Sequence, residues 1–189
     1  MVFILFLFAV ESSNGQGHWL MGPTVGPHYS SSYIEHTIYR VNLLSRPIKG
    51  LHGGLMFQYF PDIYKGSLKT GLRMSINFTE KGWDQEYLDT LNTLQTVRTK
   101  MDYLNIPIES IFYVGSQKSK AYLLLGIYVD FLLRYDVPKD PQDKSKKTDF
   151  WTFDPQRDKS FGYGGKCGLG YQRKMGFGQL SLEAYITYG

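Results

Sequence analysis

The sequence predicts an all-β protein: an antiparallel, up-and-down transmembrane β-barrel, eight-stranded when complete, with about seven strands present. Three observations point there. Several stretches of roughly ten residues alternate apolar and polar side chains, the period of a strand. The gaps between them alternate as well, short near 60–66, 115–120 and 173–178 and long near 31–49, 80–101 and 136–160. Tyrosines recur near the strand ends (Tyr29, Tyr59, Tyr103, Tyr135, Tyr163 and Tyr188), where they would form the two interfacial girdles. Tight turns at one end and long loops at the other describe an outer-membrane barrel, with turns in the periplasm and loops outside.

Composition narrows the choice. A hydrophobic content of 42% with negative mean hydropathy excludes a helical membrane protein but not a barrel, in which only alternate residues meet lipid. A net charge of +4 is too small to argue for nucleic acid. A single cysteine, Cys167, allows no internal disulfide.

Residues 1–16 read as a removed export signal. Met1–Val10 is apolar but too short to cross a bilayer as a helix, and a polar, small-residue patch follows from Glu11 to Gln16. No Lys or Arg precedes the apolar run, and a buried first strand is the alternative. The barrel domain is placed at 17–189.

The first predicted strand, Trp19–Tyr29, carries Pro23 and Pro27 on one side, so either the strand is irregular or one of its edges is poorly paired. The second, Leu51–Phe60, puts Leu51, Leu55, Phe57 and Tyr59 on one face and His52, Met56 and Gln58 on the other. The third has the cleanest alternation, with Leu68, Thr70, Leu72, Met74, Ile76 and Phe78 against Lys69, Gly71, Arg73, Ser75 and Asn77. The fourth, Tyr103–Val114, turns Leu104, Ile106, Ile108, Phe112 and Val114 outward and Asn105, Pro107 and Glu109 inward. In the fifth, Ala121–Tyr135, Gly126, Tyr128, Asp130 and Arg134 face in. The sixth, Phe161–Gln172, turns Lys166 and four glycines inward, and the seventh, Gln179–Tyr188, turns Ser181, Glu183 and Thr187 inward. Leu88, Leu91 and Leu94 fall at helical spacing, so 84–99 is read as an excursion of a long loop that can form a short helix. The run 138–149 reads as an exposed loop tip.

The inward faces collect Lys69, Arg73, Glu109, Asp130, Arg134, Lys166 and Glu183 from five strands. An eight-stranded barrel is filled by its own side chains, and opposite charges there must pair. These seven residues are therefore the candidate interior ion-pair network. The competing interpretation reverses the faces, giving a soluble periplasmic β-barrel that binds a small apolar ligand.

The order of local motifs resembles the PorT-like outer-membrane β-barrel family of Bacteroidetes-type bacteria. The matching segments are Gly22-Pro-Thr-Val-Gly26-Pro-His-Tyr-Ser30, Gly50-Leu-His-Gly-Gly54-Leu-Met-Phe-Gln-Tyr59 and Leu72 to Gly82. They continue with Tyr103-Leu-Asn-Ile-Pro-Ile108, similar to a Tyr-Leu-x-Ile-Pro signature, then Gly126 to Leu133 and Leu180 to Tyr185. The similarity covers roughly residues 19–189. It implies an eight-stranded barrel in the bacterial outer membrane, in a family of which one branch assists protein secretion across the envelope. An eighth strand is then expected beyond Gly189, and the chain is expected to be truncated.

Sites of chemistry are sparse. His18, His28, His36 and His52 have no metal-ligand spacing, and no nucleophile elbow, phosphate loop or dinucleotide fingerprint is present. The glycine-rich string Gly162–Gly170 alternates as a strand and opens no helix, so it is not a nucleotide loop. His28 and Ser30 share a face near the expected extracellular rim, a weak catalytic signal. The expectation is no enzyme and no cofactor. The expected partners are membrane lipid and lipopolysaccharide, the latter through Lys139, Lys144, Lys146 and Lys147, with envelope or secretion proteins as further candidates.

Overall fold

The computed structural model describes residues 10–14, 17–31, 45–61, 68–88, 94–116, 118–136, 160–176 and 178–189. They form one antiparallel sheet in chain order: β1 Val10–Asn14, β2 Gly17–Ser30, β3 Ser45–Pro61, β4 Lys69–Leu88, β5 Leu94–Gly115, β6 Ser119–Asp136, β7 Phe161–Met175 and β8 Gly178–Tyr188. Seven strands are long and the first is short. The sheet curls about a polar interior, and among the described residues no ladder joins β8 to β1 or β2.

Three findings differ from the expectations. First, Val10–Asn14 pairs with Gly17–Met21 and adds a short strand to the seven expected. Second, the helix expected over 84–99 is absent, because β4 and β5 continue past the bilayer band as a ribbon. Their register runs to Leu88↔Leu94, and residues 89–93 lie outside the described set. Across this ribbon Arg98 donates from Nε and Nη2 to the two Asp84 oxygens, both at 2.7 Å. That bidentate cross-strand pair outweighs the weak helical signal of three leucines. Third, Tyr103 is not in a girdle. Its ring faces the lumen, with Lys81 Nζ 5.5 Å from its centroid. The loop tip at 138–149 and its lysines lie outside the described residues.

The prolines of β2 fall where their missing donors are tolerated. Pro23 and Pro27 pair with Leu55 and Leu51 of β3, while β1 reaches only to Met21 on the other side. They therefore occupy the stretch of β2 with a single described neighbour, as the sequence implied.

The two faces sort by polarity. Leu72, Met74, Ile76, Ile127 and Leu182 are 41–65% exposed on the outside, with Val129 half-buried among them. So much apolar outer surface is stable only in lipid. A soluble calyx needs this set inside, and the structure puts it outside. Aromatic pairs mark the two rims. Trp19 and Tyr59 lie 4.6 Å apart at the turn end, and Phe131 and Phe161 5.3 Å apart at the loop end. Inside, Leu20, Phe60, Ile111, Tyr113, Tyr122 and Leu124 form an apolar plug near the turns. Gly170 leaves room for it, since a Cβ there would collide with the Tyr122 ring.

Met74→Arg should cost about 2–4 kcal/mol if Met74 lies near the bilayer midplane. Urea titration of folding into lipid vesicles measures it, and a loss below about 1 kcal/mol would move Met74 out to an interface. A second expectation concerns the ribbon. The hydrogen bonds from Arg98 hold the Asp84 carboxyl below its ordinary range. A depressed carboxyl contributes stability above its unfolded value and loses it as pH falls through the folded one. Protection of the ribbon amides, taken relative to the intrinsic exchange rate at each pH, should therefore hold down to the ordinary aspartate range and fall only below it. Loss of protection already at about pH 5–6 would refute the pairing.

Candidate functional site: the polar lumen

The lumen is organised around Arg73, which projects inward from β4 and is 2% exposed. Its Nη1 donates to Glu183 Oε2 at 2.8 Å, and Nη2 lies 2.7 Å from Oε1. This bidentate pair links β4 to β8 directly across the interior. Tyr122 donates its hydroxyl to the same carboxylate, and the guanidinium lies 5.5 Å from the Tyr122 ring centroid. With its amide oxygen toward Arg73, Gln58 accepts from Nε at 2.7 Å. Guanidinium and carboxylate thus have several partners each, as buried charges require.

Two further pairs accompany it. Lys166 of β7 approaches Glu109 of β5 at 3.2 Å and stands 4.3 Å from the Tyr185 ring centroid. Neither Glu109 oxygen has a partner with hydrogen-bond geometry, so its attraction to Lys166 is coulombic. Lys81 donates to Asp130 at 2.5 Å, and Asn105 donates to the other Asp130 oxygen at 2.7 Å. Higher in the wall, Thr24 donates to Asn77 at 2.9 Å, and Ser30 Oγ bonds both the N–H and the carbonyl of Gly82. Ser30 is thus engaged with backbone and not with His28. A cavity of about 600 Å³ remains in the lumen, walled by members of the pairs (Arg73, Glu183, Glu109 and Lys166) together with Thr24, His28, His52, Asn77 and Tyr185.

Of the seven charges expected inside, the structure brings Arg73, Glu109, Asp130, Lys166 and Glu183 into ion pairs. Lys69 and Arg134 form none among the described residues. Lys69 sits half-buried near the turns, below the network. Arg134 is exposed, because the β5–β6 register shifts between Asp102 and Tyr103: Tyr103 faces Leu132 and Asp102 faces Arg134. Leu133 is left over, and the inward alternation that holds through Asp130 fails beyond it. Lys81 was missed for the opposite reason. It continues the inward series of Lys69, Arg73 and Asn77, but the expected strand stopped at Phe78.

An antiparallel sheet with an apolar outside, aromatic rims and a charge-paired inside defines an integral outer-membrane β-barrel protein. Family comparison agrees: the outer membrane protein β-barrel domain matches residues 11–189, and the chain belongs to that family. Its place is the bacterial outer membrane. Comparison with curated proteins and with solved structures found no match.

Glu183→Gln leaves Arg73 buried beside a neutral amide and should cost about 3–5 kcal/mol. Tyr122→Phe removes one hydrogen bond to a charged group and should cost about 1.5–3 kcal/mol. Replacing Arg73 and Glu183 together by leucine should be far milder than Glu183→Gln alone. Denaturant unfolding of the refolded protein ranks the three, and a double replacement costlier than the single one would refute this account.

Proposed function

We propose that the protein is a non-enzymatic outer-membrane barrel of structural or interaction type, with a closed polar interior, presenting its loop-end surface to the outside. The observation that carries this reading is the Arg73–Glu183 pair spanning the lumen above the apolar plug. A barrel this narrow is filled by side chains, and paired charges over an apolar floor leave little reason for a water path. Paired residues are also poor acids, bases and nucleophiles, which favours an interaction role over catalysis. The β4–β5 ribbon continues toward the loop end and offers a contact surface for lipopolysaccharide or for another envelope protein. The motif order noted in the sequence favours the PorT-like branch of the family, with membership of an envelope or secretion assembly as the finer reading.

Planar-bilayer recording on the full chain refolded in detergent tests closure. Wild-type protein should be silent, and Arg73→Ala should open a small leak. Stable conductance steps of porin size from the wild type would overturn the proposal.

A further inference from the structure

We infer that His28 and His52 form a two-imidazole site for a first-row divalent transition-metal ion such as Zn²⁺, open to the cavity at the loop end of the lumen. Neither residue belongs to the ion-pair network. They lie on neighbouring strands in a reciprocal arrangement: His28 of β2 is opposite Gly50 of β3, and His52 of β3 is opposite Gly26 of β2. The sequence writes this twice as Gly-x-His, at 26–28 and 50–52.

The glycines make the site. A Cβ at Gly50 would lie 2.8 Å from His28 Cε1, and a Cβ at Gly26 would lie 2.8 Å from His52 Cε1. Each imidazole is therefore laid across the neighbouring strand, over a position where only glycine leaves room. The two rings come together with centroids 5.9 Å apart and planes at 51°. A metal–nitrogen bond of about 2.0–2.1 Å puts each ring centroid about 3.2 Å from the ion, so two ligands can be at most about 6.4 Å apart. The observed spacing is inside that limit.

The state of the rings also points to a ligand. His28 is 7% exposed, lines the cavity, and has no hydrogen-bond partner at either nitrogen. A buried imidazole with both nitrogens unmet is costly unless something occupies them. The Glu80 carbonyl is a backbone acceptor near the ring, and it would serve as the outer partner of a ligating imidazole on closing to hydrogen-bond geometry. The Tyr185 hydroxyl stands 3.2 Å from Nδ1 and 3.3 Å from Nε2 of His52, and it can bond only one of the two at a time. Imidazole suits zinc, copper and nickel, whereas magnesium and calcium take oxygen ligands. Among the described residues no third His, Cys, Asp or Glu completes a metal cluster. The site is thus a two-ligand, exchangeable one, its remaining positions taken by water.

The test is calorimetric titration of zinc chloride into the full chain, refolded in detergent and carrying Cys167→Ser so that the exposed thiol cannot contribute. One saturable zinc site per chain is expected, with no heat from magnesium chloride. His28→Ala or His52→Ala should weaken it by about tenfold or more, while His18→Ala leaves it unchanged. Absence of saturable zinc binding, or binding undiminished in both variants, would overturn the inference. Should either variant not fold, protection from diethylpyrocarbonate on the unmutated histidines decides. Zinc must slow modification of His28 and His52 together, and equal rates with and without zinc refute the site.

Discussion

Hydrocarbon offers the backbone no hydrogen bonds, and everything else in this molecule depends on that. A chain crossing lipid as strands must pair each strand laterally, so side chains alternate between lipid and lumen. The alternation is rigid: Leu72, Met74 and Ile76 face lipid only because Arg73 and Ser75 face the lumen. The same constraint explains where the prolines of β2 are tolerated. Pro23 and Pro27 remove donors on a stretch with one described neighbour, whereas either residue would break a ladder in the middle of β4 or β6.

Given a polar lumen, its contents are set by desolvation. A charge withdrawn from water is costly alone and roughly neutral when well paired. Arg73 and Glu183 meet that condition with a bidentate contact and with Gln58 and Tyr122 as further partners. Glu109 meets it less fully, held by Lys166 at 3.2 Å without directed hydrogen bonds. The network is graded, tight at Arg73 and Glu183 beside the apolar plug and looser at Glu109 and Lys166, and both pairs line the cavity.

The fold was legible in the sequence wherever one face is lipid and the other is lumen, because period two is then uninterrupted. That covers β2 through β8, with β6 only as far as Asp130, and the inward placement of Arg73, Glu109, Asp130, Lys166 and Glu183. Pairing partners were not legible. Arg73 meets Glu183 across 110 positions of sequence, through the curl of the sheet and not through neighbouring strands. Arg134 was misplaced because one leftover residue at Leu133 reverses the alternation, and no local composition announces it. The helix expected over 84–99 failed because three leucines carry less weight than a continued ladder with an ion pair across it. His28 and His52 looked unrelated at 24 positions apart. Their common Gly-x-His context was the available signal, but its meaning depends on knowing the β2–β3 register.

The interior charges also set the register. Buried ion pairs are weak sources of stability compared with apolar residues of similar shape. A lumen of leucines would, however, tolerate slippage, since an all-apolar strand presents lipid-compatible side chains in either phase. With Arg73 on β4 and Glu183 on β8, a one-residue slip moves a charge into hydrocarbon. For a cation near the midplane that costs about 2–4 kcal/mol, and it leaves the partner unpaired in the lumen. Each slipped arrangement is thus penalised twice, once outside and once inside. The pairs contribute less to holding the sheet together than to excluding its alternatives.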